Sequence, residues 1–347
     1  MSAIAVPASR LARIATPFLF ILLGVIYASW AARIPAIRDN LLLSPAQLGF
    51  VLLGAGFGAV TSFPLAAWLV DRFGGPKAAW FAGLGLLATM PCLAIAPSLP
   101  WLIAAAFVLG AGSGCFDVAI NAIGTEQEKL AGRSTMSLLH AWFCVGTLSG
   151  ALLGAAMAGM GITVVMHFSL IAVGMLPLLY LCAHSLPSLR AERDPTRKLF
   201  AVAHGPLVML GIIGFCGAVA EGSIADWSGV FMTDRLHVHD GVAPLAFAGF
   251  ACLMLLARLV CDRFKDHFGA RKVVASGALL AAIGILVAIL AISVPLTITG
   301  FALAGAGLAA VFPFVFSAAG RHGSTALAAV ATFSYSGGLI GPPVIGF

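Results

Sequence analysis

Eleven long apolar runs, separated by short breaks that carry charge, proline or glycine, take up almost the whole chain. They cover roughly residues 15–32, 46–70, 78–97, 101–124, 136–160, 163–184, 206–232, 242–262, 272–293, 295–318 and 326–347. Each is close to the ~20 residues that an α-helix needs to cross the hydrocarbon of a bilayer. The second run has a marked start, with Ser44 as N-cap, Pro45 at the first helical position and Gln47 at the third. The pattern predicts an all-α, polytopic membrane protein.

Composition removes the main alternatives. Of 347 residues, 61% are apolar and 9% charged, whereas a soluble domain carries about 25% charged residues to cover its surface. Soluble enzymes, nucleic-acid binders and disordered tails are excluded. Arg10 and Arg13 before the first run suit a signal peptide, but ten further runs favour an uncleaved first span. The seven cysteines are odd in number and form no CxxC pair, so they read as small buried apolar groups without a disulfide or zinc site.

Charge orients the spans. With the N-terminus in the cytoplasm, all 19 Lys and Arg except Arg33, Arg38 and Arg235 fall on the inner side, as basic residues in short loops do. The longest charged stretch holds Arg190, Glu192, Arg193, Asp194, Arg197 and Lys198 near Pro187 and Pro195. It reads as a cytoplasmic linker over 187–205 between an N-terminal bundle at 1–186 and a C-terminal bundle at 206–347, and it also suits an anionic lipid surface.

The loop after the second span, Asp71-Arg72-Phe73-Gly74-Gly75-Pro76-Lys77, returns after the eighth as Asp262-Arg263-Phe264, followed by Gly269, Arg271 and Lys272. The offset of 191 residues between Asp71 and Asp262 carries span one onto span seven and span four onto span ten, so a six-helix unit is used twice. Residue 347 maps inside the fifth span, and a chain truncated before a twelfth helix is expected.

At these loops the sequence resembles the major facilitator superfamily, whose signature between helices two and three is Gly-x-x-x-Asp-Arg-x-Gly-Arg/Lys-Arg/Lys. Asp71, Arg72, Gly74 and Lys77 fit it, whereas Ala67 replaces the first Gly and Pro76 interrupts the basic pair; Arg258, Asp262, Arg263, Gly269, Arg271 and Lys272 form the second copy. Further likeness lies in Ala28–Pro35, Glu221-Gly222-x-x-x-Asp226-Trp227-Ser228, Thr332-Phe333-Ser334-Tyr335 and Gly341-Pro342-Pro343. The branch resembled is bacterial, of the inner membrane, and near the fucose permeases. There, an acidic residue followed four positions later by Asn in helix four faces the cavity and is tied to proton coupling, as Asp117 and Asn121 match here. The resemblance implies two pseudo-symmetric six-helix bundles that transport a small solute by alternating access, with protons as partner, no cofactor, and a monomer in the bilayer. It also implies that Asp71 and Arg72, with Arg258, Asp262 and Arg263, hold the inner ends of the halves together in the outward-open state. A sugar-like solute is favoured. Span five lacks the Gly-Pro-x-x-Gly-Gly of drug antiporters, which leaves efflux as the alternative. A membrane sensor or intramembrane enzyme would need a large soluble domain or catalytic groups clustered at one depth, and neither is found.

Of 13 Asp and Glu, only Asp117, Glu221 and Asp226 lie within spans. A carboxyl taken out of water favours its neutral form, so such a group can carry a proton. His140 stands at a depth similar to that of Asp117 in the next span, either as a proton partner or as a structural hydrogen bond. Asp117 and Asn121, four residues apart, share a helix face. Glu221 sits near the midplane, while Asp226 is level with Arg33, as an outer gate or a static salt bridge. Tyr27, Trp30 and Trp227 suit stacking on a substrate or an interfacial aromatic belt. No metal site is expected, His237-x-His239 being a loose pair on a short loop.

Overall fold

The computed structural model describes residues 10–131, 136–187, 204–322 and 324–347. These residues form thirteen helices: α1 (Arg10–Asn40), α2 (Pro45–Thr61), α3 (Phe63–Phe73), α4 (Gly75–Ala94), α5 (Leu99–Ala131), α6 (Met136–Gly159), α7 (Val164–Ser185), α8 (Pro206–Leu236), α9 (Leu245–Phe268), α10 (Ala270–Leu290), α11 (Val294–Leu308), α12 (Val311–Gly320) and α13 (Ser324–Ile345). Most of the charged linker expected over 187–205 lies outside the described residues.

Helix is what these sequences must form in lipid, where no water satisfies an exposed backbone N–H or C=O. Large apolar side chains such as Val173, Leu259, Leu279 and Leu286 are exposed on the helix surfaces, as a lipid-facing wall requires. Among the described residues, ten spans are long and apolar enough to cross a membrane, and the protein is a multi-pass membrane protein. The eleventh segment, diluted by Ser, Gly, Pro and Tyr, forms α13 and packs against α8 and α2. The expected cap of the second span is present: Gln47 N–H donates to Ser44 Oγ at 3.2 Å and Ser44 N–H to Gln47 Oε1 at 2.9 Å. This span is broken at Ser62, because Pro64 has no N–H to continue the ladder. The tenth is likewise divided into α11 and α12, next to Pro313.

The repeat is visible in the packing. Spans one and five, two and four, and three and four pair in the first half, as α1 with α6, α2 with α5 and α4 with α5. Their counterparts pair in the second, as α8 with α13, α9 with α11 and α10 with α11. One buried core is built almost wholly from α1–α7 and a second largely from α8–α13. A Cβ added at Gly114 would stand 2.7 Å from the Ala59 carbonyl oxygen, and its repeat mate Gly305 abuts the Phe250 carbonyl in the same way. Gly114→Val is therefore expected to push α2 from α5 and lower stability by about 1–3 kcal/mol. A lower unfolding midpoint in detergent would show it.

The repeated turn carries one correction. Gly74 (φ 82°, ψ 158°) and Gly269 (φ 84°, ψ 148°) adopt the same conformation, and each donates its N–H to the carbonyl four residues back at 2.8 Å. Their offset is 195 residues, four more than the 191 read from Asp71 and Asp262. The second copy has gained one helical turn, Lys265–Phe268, and α9 continues past the expected end of span eight.

The two halves meet along α2 with α13, α6 with α9, and α1 with α8. At the end of the bundle that holds Asn40 and Pro45, Gly346 packs on Gly49 and Gly241 on Gly159. Arg38 of α1 bonds both carboxylate oxygens of Asp234 on α8, at 2.6 Å through Nη1 and 2.5 Å through Nη2. At the opposite end, Asp71, Arg72, Asp262 and Arg263 are exposed, and α3 packs against α4 and α5 of its own half. The chain is thus closed at the Arg38 end.

Candidate functional site

Three helices of each half carry polar groups, most of them near their middles. From the first half come Tyr27 of α1, Asp117 and Asn121 of α5, and His140 and Cys144 of α6. From the second come Glu221 and Asp226 of α8, Arg258 of α9 and Tyr335 of α13. A cleft is lined by Tyr27, Cys144, Thr147, Glu221, Phe247 and Met254, among others, so both halves contribute to one wall.

Asp117 and Asn121 share a face as their spacing requires. The amide of Asn121 donates to Asp117 Oδ1 at 3.0 Å and to the Asp117 carbonyl at 2.9 Å. Asn121 thus spends part of its capacity holding the carboxyl rather than both groups facing one ligand freely. The expected contact of Asp117 with His140 is not made. His140 instead lies edge-on to Phe20, with ring centroids 5.5 Å apart, and the charge closest in effect is that of Arg258.

Tyr27 occupies the middle of the site. Its ring packs on Phe143 at 6.4 Å and Phe247 at 6.2 Å, and its hydroxyl lies within the fields of Asp226 and Glu221. The other two aromatic candidates are differently placed. Trp30 is 4% exposed in the first core, neither facing the cleft nor forming a belt at the interface. Trp227 donates Nε1–H to the Pro342 carbonyl at 2.7 Å, which ties α8 to α13.

The expected pair of Arg33 with Asp226 is overturned as well. Arg33, buried to 3% exposure, donates Nε–H to His167 Nδ1 at 3.0 Å and Nη2–H to the Ile162 carbonyl at 2.8 Å. It is an internal anchor of the first half. Five residues along α1, about 140° around the helix, Arg38 makes the bond that crosses between halves.

Arg258 also departs from its expected place. It lies ten residues before the end of α9, about 15 Å inside the helix. Its Nη1–H donates to Cys144 Sγ at 2.7 Å across the junction of α6 and α9, while its buried Nε has no hydrogen-bond partner among the described residues. Glu221 Oε2 is likewise buried without a partner. Residue type gives no signal for Cys144, which the sequence places with the inert apolar cysteines. Tyr335 sits in a stretch already noted for its resemblance, and its ring stacks at 6.3 Å on Phe312 within reach of the charges of Asp117, Glu221 and Arg258.

This arrangement, with polar groups at mid-depth between two repeated bundles, suits a solute that passes between the halves. The comparisons agree with it. The family model described as Major Facilitator Superfamily matches residues 16–342. An uncharacterized transporter of Sinorhizobium fredii, y4wD, is 33% identical over 333 residues, covering 94% of this chain and 88% of its own. An uncharacterized MFS-type transporter of Yersinia pestis is 34% identical over 340 residues, covering 96% and 88%. Among solved structures, a bacterial homologue of the human lysosomal transporter Spinster, inward-facing and occupied, superimposes with a TM-score of 0.76 at 17% identity, covering 97% of this chain and 82% of that one. Its likeness carries the fold. The repeated halves, the membrane-spanning helices and these matches together identify the chain as a member of the major facilitator superfamily, a family of transporters and not of enzymes.

Proposed function

We propose that the protein is a secondary active transporter that moves a small polar solute by alternating access, driven by a proton gradient. The observation that carries this reading is the set of carboxyls between the halves. In support, Tyr27 of the first half lies within the fields of Glu221 and Asp226, and Tyr335 of the second within those of Asp117 and Glu221, while Arg38 and Asp234 join the halves at one end. A carboxyl held at the midplane is costly unless it serves a solute or an ion, so these three are the coupling and binding groups. Asn121, His140 and Tyr27 complete the first half's share of the site.

In this reading 1–186 and 206–347 are the moving bundles, joined by the linker at 187–205, and the protein works as a monomer in the bacterial inner membrane. With the N-terminus in the cytoplasm, the Arg38 end faces outward and the structure is inward-open. Asp71, Arg72, Asp262 and Arg263, exposed here, then meet when the opposite end opens. Trp227 acts through Pro342 to hold α13 against α8.

The test is a solute panel on proteoliposomes of the protein, with and without an imposed pH gradient. Accumulation of a polar solute that requires the gradient is expected. Transport unaffected by the gradient for every solute would remove the coupling, and a gradient that drives expulsion would replace uptake by efflux.

A further inference from the structure

An acidic side chain in the wall of one cleft and a guanidinium just beside it each keep a buried polar atom without a partner among the described residues. Glu221 lines it with a buried, unpartnered Oε2. Arg258 lies one turn beyond Met254, another lining residue, and grips Cys144, a third, with Nη1 while its own Nε is buried and unpartnered. No ion pair within 4.0 Å joins Glu221 and Arg258 among the described residues. A buried charge left without its full set of hydrogen bonds destabilises the fold, and a thiol is a weak acceptor for a guanidinium. Both groups are satisfied at once by a molecule with an anionic end for the Arg258 fork and a donor for Glu221.

We propose that Arg258 and Glu221 form a two-point site for a small carboxylate that also carries a hydroxyl or amino donor. The carboxylate takes the guanidinium in place of the Cys144 thiol, and the donor reaches Glu221. Tyr27 offers a ring wall to the same cleft and a hydroxyl within the field of Glu221, and Thr147 a second hydroxyl, which is spent on the Cys144 carbonyl at 3.0 Å. Arg258 lies on the side of the cleft nearer the Asp71 end, so a solute entering from that end meets the cation first. A neutral sugar, favoured by the span-four resemblance, leaves the guanidinium with no anionic partner.

This inference rests on the transport reading for its purpose, and its test is one of binding, so that the two can fail separately. The full chain in detergent is titrated with glucuronate and glucose, gluconate and sorbitol, glycerate and glycerol, and serine and serinol, with the unfolding midpoint as readout. At least one acid is expected to raise the midpoint at concentrations at least about tenfold below those its neutral or cationic counterpart needs. Arg258→Gln should abolish the difference, and Arg258→Lys should restore part of it. Glu221→Gln should weaken the acid without removing the preference for it. All three variants are first checked for the unliganded midpoint, and if Arg258→Gln fails to fold, Arg258→Lys carries the test and must show a smaller acid preference than the unchanged protein, an undiminished preference overturning the proposal. Equal response to acid and counterpart, no response to any acid, or an acid effect that survives in folded Arg258→Gln overturns the proposal. Acid binding without transport would instead count against the transport reading.

Discussion

Arg38→Glu should open the end of the bundle that is closed in this structure. The substitution replaces a bidentate pair across the halves by three neighbouring acidic groups, the carboxylate introduced on α1 and those of Asp39 and Asp234. Asp234 is half exposed and Arg38 mostly buried, so solvent screens the bond in part. Reversing it is expected to cost about 1–2 kcal/mol, which moves the ratio of closed to open populations by about tenfold. Spin-labelled unnatural residues at positions 42 and 239, both exposed near this end, would report the change as a longer distance. Exchanging the charges, Arg38→Asp with Asp234→Arg, should return most of the closed population. If the distances in Arg38→Glu matched those of the unchanged protein, the bond would be ornamental to the closure.

Asp117→Asn should erase gradient-driven accumulation while leaving solute exchange across the membrane in place. The carboxyl is held by Asn121, and an amide at the same position keeps the helix face polar while it removes the group that can take up a proton. In proteoliposomes the variant is expected to accumulate solute no further than the unchanged protein does without a pH gradient. Counterflow, which needs the conformational cycle and not the gradient, should continue. Accumulation in Asp117→Asn equal to that of the unchanged protein would move the proton to Glu221 or Asp226.

What the sequence makes legible follows from what lipid demands. Spans are forced by the need to satisfy backbone groups internally, and Ser44 with Gln47 forms the expected capping box because both groups are local in the chain. Rotation about each helix axis is a different matter. The helices are apolar on nearly every face, so periodicity does not separate the face toward a neighbouring helix from the face toward lipid. Trp30 therefore reads from sequence as belt or as cleft wall, and the packing of α1 puts it in the core instead. Arg33 and Asp226 share a depth, yet Arg33 finds His167, 134 residues away, because it points toward α7 and not α8.

Arg258 escapes a sequence reading in another way. The repeat sets it beside Asp262 and Arg263, and with four added residues in α9 the loop recedes and leaves Arg258 inside. Cys144 becomes notable only through this arginine, which no local pattern foretells. The carboxyls at 117, 221 and 226 are legible because a charge amid apolar residues stands out whatever face it occupies.

The internal bonds of Arg33 bear on how the halves must part. Arg33 fastens α1 to the Ile162 carbonyl and to His167 at the start of α7, barely more than one helical turn before Arg38. The tip of α1 is thus bolted to its own bundle just below the point where it grasps the other. In the proposed alternating-access cycle, release of the grip on Asp234 would leave α1 no slack in which to fray or swing alone, and the load would pass to the whole first half as one lever.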